Sequence, residues 1–315
     1  MRCPGVQTLP FRSLSRNLLY GVIAIISFAA PRLSAQNLTL EGQTGGFITP
    51  TAYVVYSAKD HFFSHPAVGF HFINVDKVIG NVYTFSIAEG FANRAEIGYT
   101  RNVHEKGNSP LFSSLWHYPG MNIFSGKVVA VKDGQWSPII PGLAVGAVVR
   151  TGDRFVSGAL DGTTYVNNDV YIALTKTWLH PPLPFLANFG WKATNASIYG
   201  IGGQSTRYGG RLFGGLGIPL PGPFKTAIVP AAGFTQEPPQ VKNLGVLLIG
   251  GTAHIPTTLD FAVRVTQREN PHFAFDIGIG EVANQIGYTF IYPEGETPVN
   301  LHARNILGVG LSIRY

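Results

Sequence analysis

The sequence predicts an all-β protein, a transmembrane antiparallel β-barrel of about 14 strands, with 12 to 16 strands possible. From residue 67 to the C-terminus, apolar side chains alternate with small or polar ones over many short stretches. The chain is 45% hydrophobic but only 13% charged, whereas a charged share of about 25% is usual. Outside residues 18–30, no apolar run approaches the roughly 18 residues that a spanning helix needs. Strands that expose every second residue to lipid account for all three features.

Residues 1–35 are predicted to be a secretory signal peptide. Arg12 and Arg16 precede an apolar stretch at 18–30, and the small residue Ala35 follows it at the expected cleavage position. We expect cleavage near Ala35 and export to the bacterial outer membrane of a Gram-negative cell. The alternative is an N-terminal membrane anchor, for which the apolar stretch is short.

Removal of this segment changes the cysteine and charge counts. The single cysteine, Cys3, would be lost, so the mature chain would have no disulfide and no cysteine-based metal site or nucleophile. Four of the 23 basic residues precede residue 36, which leaves 19 basic residues against 17 acidic ones. This excess of two predicts no binding to nucleic acid.

Residues 36–66 do not alternate and form an irregular N-terminal segment. Glycine and proline interrupt the stretch 45–52, Gly-Gly-Phe-Ile-Thr-Pro-Thr-Ala. This stretch resembles one that opens some outer-membrane barrels linked to exopolysaccharide export. Residues 36–66 are therefore either a lead into the first strand or a plug in the lumen.

The barrel is predicted to span residues 67–315. Clear alternation covers 83–87, 95–99, 143–149, 185–191, 259–265, 273–279, 286–290 and 307–315. Outer connections are expected at 104–121, 152–167, 196–208, 236–242, 268–271 and 293–304, and inner ones at 89–90, 133–142, 179–184, 218–224, 254–257 and 281–285. The long connections fall mostly on one side, as in barrels with short periplasmic turns and longer outer loops.

Charged residues within the strands should face the lumen, because a Lys or Arg facing lipid at the bilayer midplane costs about 2–4 kcal/mol. The candidate lumen-lining residues are Glu96, Arg150, Asp169, Lys192, Arg211, Asp260, Arg264, Asp276 and Arg314. The last four of these could pair into a ladder across neighbouring strands. Such a ladder would either stiffen the wall or create a transverse field that selects a solute.

The C-terminal stretch carries an apolar residue at every second position and ends on an aromatic residue. These positions are Leu307, Val309, Leu311, Ile313 and Tyr315. The pattern resembles the terminal strand of bacterial outer-membrane β-barrels, which the barrel assembly machinery reads. The expected partners are therefore the lipid bilayer and that machinery.

A second resemblance lies within the barrel region. Lys127, the stretch 141–146 (Pro-Gly-Leu-Ala-Val-Gly) and the stretch 151–153 (Thr-Gly-Asp) form a layout similar to one in the outer-membrane barrels of the phenol meta-cleavage pathway (the MetA-pathway family) and in related uncharacterised barrels. The resemblance implies a barrel and leaves the substrate open.

No catalytic constellation stands out, so we expect no enzyme activity, cofactor or metal. His61 and His65 have no third ligand near them in the sequence, and Ser113, Ser114 and His117 lie in the longest predicted loop.

The predicted function is a channel or transporter for a small solute. Inward-facing Phe213, Leu247 and Ile249 would favour an apolar solute. The alternatives are a barrel that acts through its surface loops, in adhesion or polysaccharide export, and an outer-membrane hydrolase that uses the loop serines and histidine.

Overall fold

The computed structural model describes most of the chain after residue 36. The described residues are 37–58, 61–75, 77, 80–108, 120–152, 165–179, 183–201, 204–238, 252–254, 257–268, 272–282, 287–292, 295–300 and 306–314. The predicted signal peptide and the C-terminal Tyr315 lie outside them.

Strands dominate the described residues. The strands are β1 (Ala67–Val75), β2 (Gly80–Phe91), β3 (Ala95–Lys106), β4 (Gly120–Val131), β5 (Gly142–Gly152), β6 (Tyr165–Trp178), β7 (Phe185–Ala196), β8 (Gln204–Gly217), β9 (Leu220–Pro221), β10 (Thr226–Thr235), β11 (Thr252–His254), β12 (Thr258–Gln267), β13 (Phe273–Val282), β14 (Gly287–Tyr292), β15 (Gly295–Asn300) and β16 (Ile306–Arg314). A short 3-10 turn spans Ile198–Gly200. Across the described residues, no helix is both long and apolar enough to cross a membrane.

Twelve strands close into an antiparallel barrel. Going round the ring, β1 to β8 follow in chain order, then come β10, β12, β13 and β16, and β16 pairs with β1. The short strand β9 pairs only with β10. Closure leaves the ring without an unpaired edge. The barrel class and the antiparallel pairing are as predicted, and the 12 ring strands among the described residues are fewer than the expected 14, at the lower limit of the predicted range of 12 to 16.

The overcount came from strands placed in the ring that lie outside it. The alternating stretch 286–290 corresponds largely to β14, which pairs with β11 and β15 in a separate three-stranded sheet. Another expected strand, between 242 and 254, falls mainly outside the described residues. Alternation shows that a segment is a strand, but it does not show which strand is its neighbour.

The ring order also reverses the predicted sides of three connections. The amide of Arg268 donates a hydrogen bond to the carbonyl of Lys225 at 2.9 Å, and the amide of Arg314 donates one to the carbonyl of His272 at 2.7 Å. The connection after β12 therefore lies at the end of the barrel that holds the C-terminus, which we call the terminus end. Its prediction as an outer loop was wrong. Thr258 and its partner Val282 lie beside Thr235 at the opposite end, so the predictions of 254–257 and 281–285 as inner connections were wrong as well.

The two faces of the wall differ sharply in composition. Large apolar side chains on the outer face are exposed, including Phe85 at 54%, Ile97 at 56%, Phe124 at 52% and Phe261 at 52%. Inward positions carry small, polar or charged residues, most of them buried. The alternation thus places the apolar stripe of each strand outside and the polar stripe inside.

Residues 37–58, which we call the inner segment, lie inside this ring. Leu38 packs at the terminus end, in a cluster with Val55, Ala67 and Ala88. From there the chain runs inward and then returns, so that the backbone amide of Ser57 bonds Asn93 in the β2–β3 turn at 2.7 Å. Both ends of the inner segment therefore lie at the terminus end.

Candidate functional site

All nine predicted lumen-lining residues occupy inward positions in their strands. Six of them are buried, namely Glu96, Arg150, Asp169, Lys192, Asp260 and Asp276. The other three are half-buried, namely Arg211, Arg264 and Arg314. Three of the nine, Glu96, Arg150 and Arg264, contact the inner segment, which fills the lumen at their level.

Arg150 is the centre of a buried charge cluster. Its guanidinium is 0% exposed and binds both oxygens of Glu41 in the inner segment, with Nη2 2.9 Å from Oε2. The same Nη2 lies 2.6 Å from Asp169 of β6, and Nη1 bonds Asn167 at 3.2 Å. Thr194 donates a further hydrogen bond to Asp169. One arginine thus joins the inner segment to the wall through a bidentate pair, the strongest form of this contact.

The environment of Glu41 opposes its charge. Burial raises the pKa of Glu41, and the nearby positive charge of Arg150 only partly offsets this effect. Every polar atom of such a site needs a partner, because an unpaired charge away from water is costly.

A second ion pair, on the neighbouring strands β3 and β4, also anchors the inner segment. Glu96 of β3 lies 3.2 Å from Lys127 of β4, and both side chains are almost fully buried. Glu96 also accepts the backbone amides of Thr44 at 2.9 Å and Val55 at 2.8 Å. Lys127 donates to the carbonyl of Thr44 at 2.9 Å. This pair binds main-chain atoms on both limbs of the inner segment.

The third pair is Arg264 with Asp276, directly opposite each other on β12 and β13. The two side chains form a bidentate pair at 2.7 and 2.8 Å. Arg264 also donates to the carbonyls of Gly45 and Gly46 at 3.0 and 3.3 Å. Within the predicted four-residue ladder, Arg264 and Asp276 form an ion pair, and the arginine's remaining donors bind the inner segment.

Neutral groups complete the lining. Tyr171 donates to Gln43 at 2.5 Å, and Thr175 accepts the amide of Ala52 at 2.7 Å. Asn188 donates to the carbonyl of Pro50 at 2.9 Å. The wall thus satisfies the backbone of a segment that has little regular structure of its own.

A strained turn enters the interior from the other end of the barrel. Ile198 and Tyr199 are buried with φ of 42° and 56°, which is unusual for residues with bulky side chains. The amide of Ile198 bonds Glu237 at 2.9 Å, and the ammonium of Lys192 lies 5.2 Å from the centre of the Tyr199 ring. Burial raises the pKa of Glu237. These contacts hold the turn in a conformation that it would not adopt alone.

A cavity of about 80 Å³ remains between the inner segment and the wall formed by β7, β8, β10, β12 and β13. Much of its lining is apolar, with Phe47, Leu186, Val229, Ala231 and Ala262 among the contributors. Asp260 also lines it and is 6% exposed, and its Oδ1 has no hydrogen-bond partner.

Several residues of the interior were not predicted from the sequence. Glu41 lies in a segment without alternation, so no pattern indicated that it faces Arg150. Lys127, Tyr171 and His71 occupy inward strand positions, and strict alternation from Ser125 and Asp169 could have identified the first two. Phe213 is inward and buried.

Other predicted positions lie outside the described residues, namely Leu247, Ile249, Ser113, Ser114 and His117. His61 is described, but no group of three or more potential ligands forms a metal site anywhere in the described ranges. Leu307, Leu311 and Ile313 are exposed on the outer face of β16, and Val309 lies on the same face.

Comparisons with known proteins give only remote similarities. No family model matches the chain, and no curated protein does. Among solved structures, a KdgM porin has a TM-score of 0.45 at 9% identity, covering 79% of this chain and 99% of its own. A NanC porin gives 0.43 at 8%, covering 79% and 100%. The Acinetobacter baumannii outer membrane protein Omp33 gives 0.38 at 8%, covering 81% and 99%. At these values the similarities support no functional assignment.

Proposed function

We propose that this protein is a bacterial outer-membrane channel for a small solute, closed at rest by the inner segment. The observation that carries the proposal is the pairing of the inner wall with residues 37–58. The charged side chains of Arg150, Glu96 and Arg264 bind the inner segment as well as their neighbours in the wall. If the inner segment withdraws, water can solvate the polar groups of the wall that it occupied, and the lumen becomes a polar path.

The outer face supports a membrane location. The barrel strands are 9 to 14 residues long, and a tilted strand of about 9–11 residues crosses a bilayer. Exposed apolar residues such as Phe85, Phe124 and Phe261 would cost free energy in water and would face lipid chains favourably. Residues 1–35 as an export signal, and the β16 stripe with Tyr315 as a signal for the assembly machinery, complete this proposal.

The inner segment is suited to movement. Its contacts with the wall are mainly hydrogen bonds and ion pairs, and water can replace each hydrogen bond at a net cost of about 0.5–1.5 kcal/mol. Both of its ends lie at the terminus end, so it can withdraw without passing through the ring. We infer that withdrawal toward the periplasm opens the path.

The cavity lining bears on the kind of solute, and one sequence resemblance bears on the family of barrels. The apolar lining near Phe47 and Val229 favours a solute with an apolar portion. The similarity of Lys127, 141–146 and 151–153 to the phenol meta-cleavage barrels favours that group.

A reversible crosslink tests whether the inner segment gates the channel. A Cβ atom built on Gly142 of β5 lies 3.4 Å from Cβ of Ala52, close to the separation found in disulfides. We expect the Ala52→Cys/Gly142→Cys variant, with Cys3→Ser, to be non-conducting in planar bilayers when oxidised. Reduction should restore the openings of the unmodified protein.

The matched control places the crosslink within the wall. Gly280 and Ile306 are partners on β13 and β16, and a Cβ on Gly280 lies 3.4 Å from that of Ile306. Gly280→Cys/Ile306→Cys should conduct equally in both redox states. Equal conductance of the oxidised and reduced Ala52–Gly142 variant would contradict the gating role of the inner segment.

A further inference from the structure

The cavity beside the inner segment holds a buried carboxylate that no described neighbour neutralises. Asp260 is 6% exposed, its Oδ1 is unpartnered, and it forms no ion pair with any described residue. The other charged residues of this cavity, Arg264 and Asp276, bind each other. Asp260 is therefore the group whose charge the described surroundings leave uncompensated.

The positions beside Asp260 explain why the described residues give its Oδ1 no partner. Its register partner on β10 is Gly233 and its register partner on β13 is Gly280. A Cβ atom built on Gly233 would lie within contact distance of both carboxylate oxygens, 2.9 Å from Oδ2. On its own strand, Thr258 donates its hydroxyl to Glu237, and Ala262 has no polar group. Glycine on both sides thus keeps space open at the carboxylate.

The size and lining of the cavity define what could fill that space. One water molecule needs about 10–15 Å³ of such volume, so about 80 Å³ holds a molecule of only a few heavy atoms. Apolar groups of Leu186, Val229 and Ala231 form much of the boundary. The apolar part of a ligand of this size would pack against these side chains and exclude water from them. A cationic hydrogen-bond donor on the same ligand would bind the carboxylate of Asp260.

We propose that this cavity is a binding site for small organic amines, with the ammonium group bound to Asp260 and the alkyl group against the apolar wall. An ammonium donates hydrogen bonds and also neutralises the buried carboxylate. A neutral alcohol donates a hydrogen bond but leaves the charge of the carboxylate uncompensated. The inference rests on the proposed function, because it names a class of solute for the lumen. Binding at equilibrium requires no conductance, so the two proposals can fail separately.

The test uses n-butylammonium, n-butanol and butyrate as probes of equal chain length. Their binding to the detergent-solubilised full chain is measured by saturation-transfer NMR at neutral pH, where a primary amine is protonated. We expect n-butylammonium to bind more tightly than n-butanol and butyrate not to bind. Asp260→Asn should raise the dissociation constant of n-butylammonium about ten- to hundredfold, the value of a hydrogen bond to a charged group.

Two further variants control for folding and for net charge. Gly233→Ala keeps the carboxylate but fills the space beside it, and it should also weaken n-butylammonium binding. Glu105→Gln removes an exposed carboxylate on β3 and should leave binding unchanged. Heat-modifiable migration on detergent gels shows that each variant retains the closed barrel. Absence of n-butylammonium binding, equal affinity for n-butanol, or unchanged affinity in Asp260→Asn would each overturn the proposal.

Discussion

Replacing Arg150 with methionine should release the inner segment without opening the barrel wall. The substitution removes the cation that Glu41 and Asp169 share and leaves both carboxylates buried. One of these carboxylates belongs to the inner segment and the other to β6. Their repulsion would therefore act between the segment and the wall, while the backbone hydrogen bonds of the ring remain intact.

The expected magnitude follows from the burial of the cluster. Arg150 is 0% exposed, and breaking a buried ion pair by removing one partner costs about 3–5 kcal/mol. If this cost acts on the equilibrium between bound and released segment, the released population should rise roughly one hundred- to a few thousandfold.

Cysteine accessibility measures that population. Ala52 in the inner segment is 1% exposed, so Ala52→Cys should react slowly with a maleimide in the otherwise unchanged protein and far faster with Arg150→Met. Arg211→Met is the matched control, because Arg211 is an inward arginine that bonds the carbonyl of Gly210 in its own strand. Adding Glu41→Gln to Arg150→Met should lower the labelling rate again, since one of the two repelling charges is lost.

Equal labelling rates in Arg150→Met and Arg211→Met would refute this account of how the inner segment is held. Loss of heat-modifiable migration in Arg150→Met would refute the claim that the ring is stable without the cluster.

Two other predictions concern the outer face and the strained turn. Phe124→Arg places a cation on the outer face of β4 and should lower unfolding free energy in lipid by about 2–4 kcal/mol, whereas Phe124→Leu should have little effect; equal urea midpoints would contradict lipid exposure. Burial raises the pKa of Glu237, so the folded state favours its protonated form. Acidification from pH 7 toward the ordinary glutamate pKa of 4.5 should therefore stabilise the wild type relative to Glu237→Gln. An opposite shift in thermal midpoint would contradict the burial.

The sequence predicted which residues share a face of each strand better than it predicted which strands form the ring. Alternation places Glu96, Arg150 and Asp276 on one face of their strands, because successive side chains point to opposite sides. It could not separate β14 from the ring, since its partners β11 and β15 are chosen by long-range pairing that no local pattern encodes.

The interior of the barrel was less accessible to sequence reasoning. Glu41 contacts Arg150 across 109 positions of sequence, and the inner segment has neither helical nor strand periodicity. Its conformation is set by the inward polar groups that surround it, such as Lys127 and Asn188. The conformation of the inner segment is therefore specified by the wall as much as by its own residues.

Single-channel conductance of a variant that lacks residues 37–58 tests the central claim most directly. The claim is that the ring encloses a polar path across the membrane and that the inner segment closes it. We predict that the full chain opens rarely, whereas the deletion variant, verified as a folded barrel by its heat-modifiable migration, conducts steadily. A folded deletion variant with no conductance above that of the bare bilayer would contradict the account.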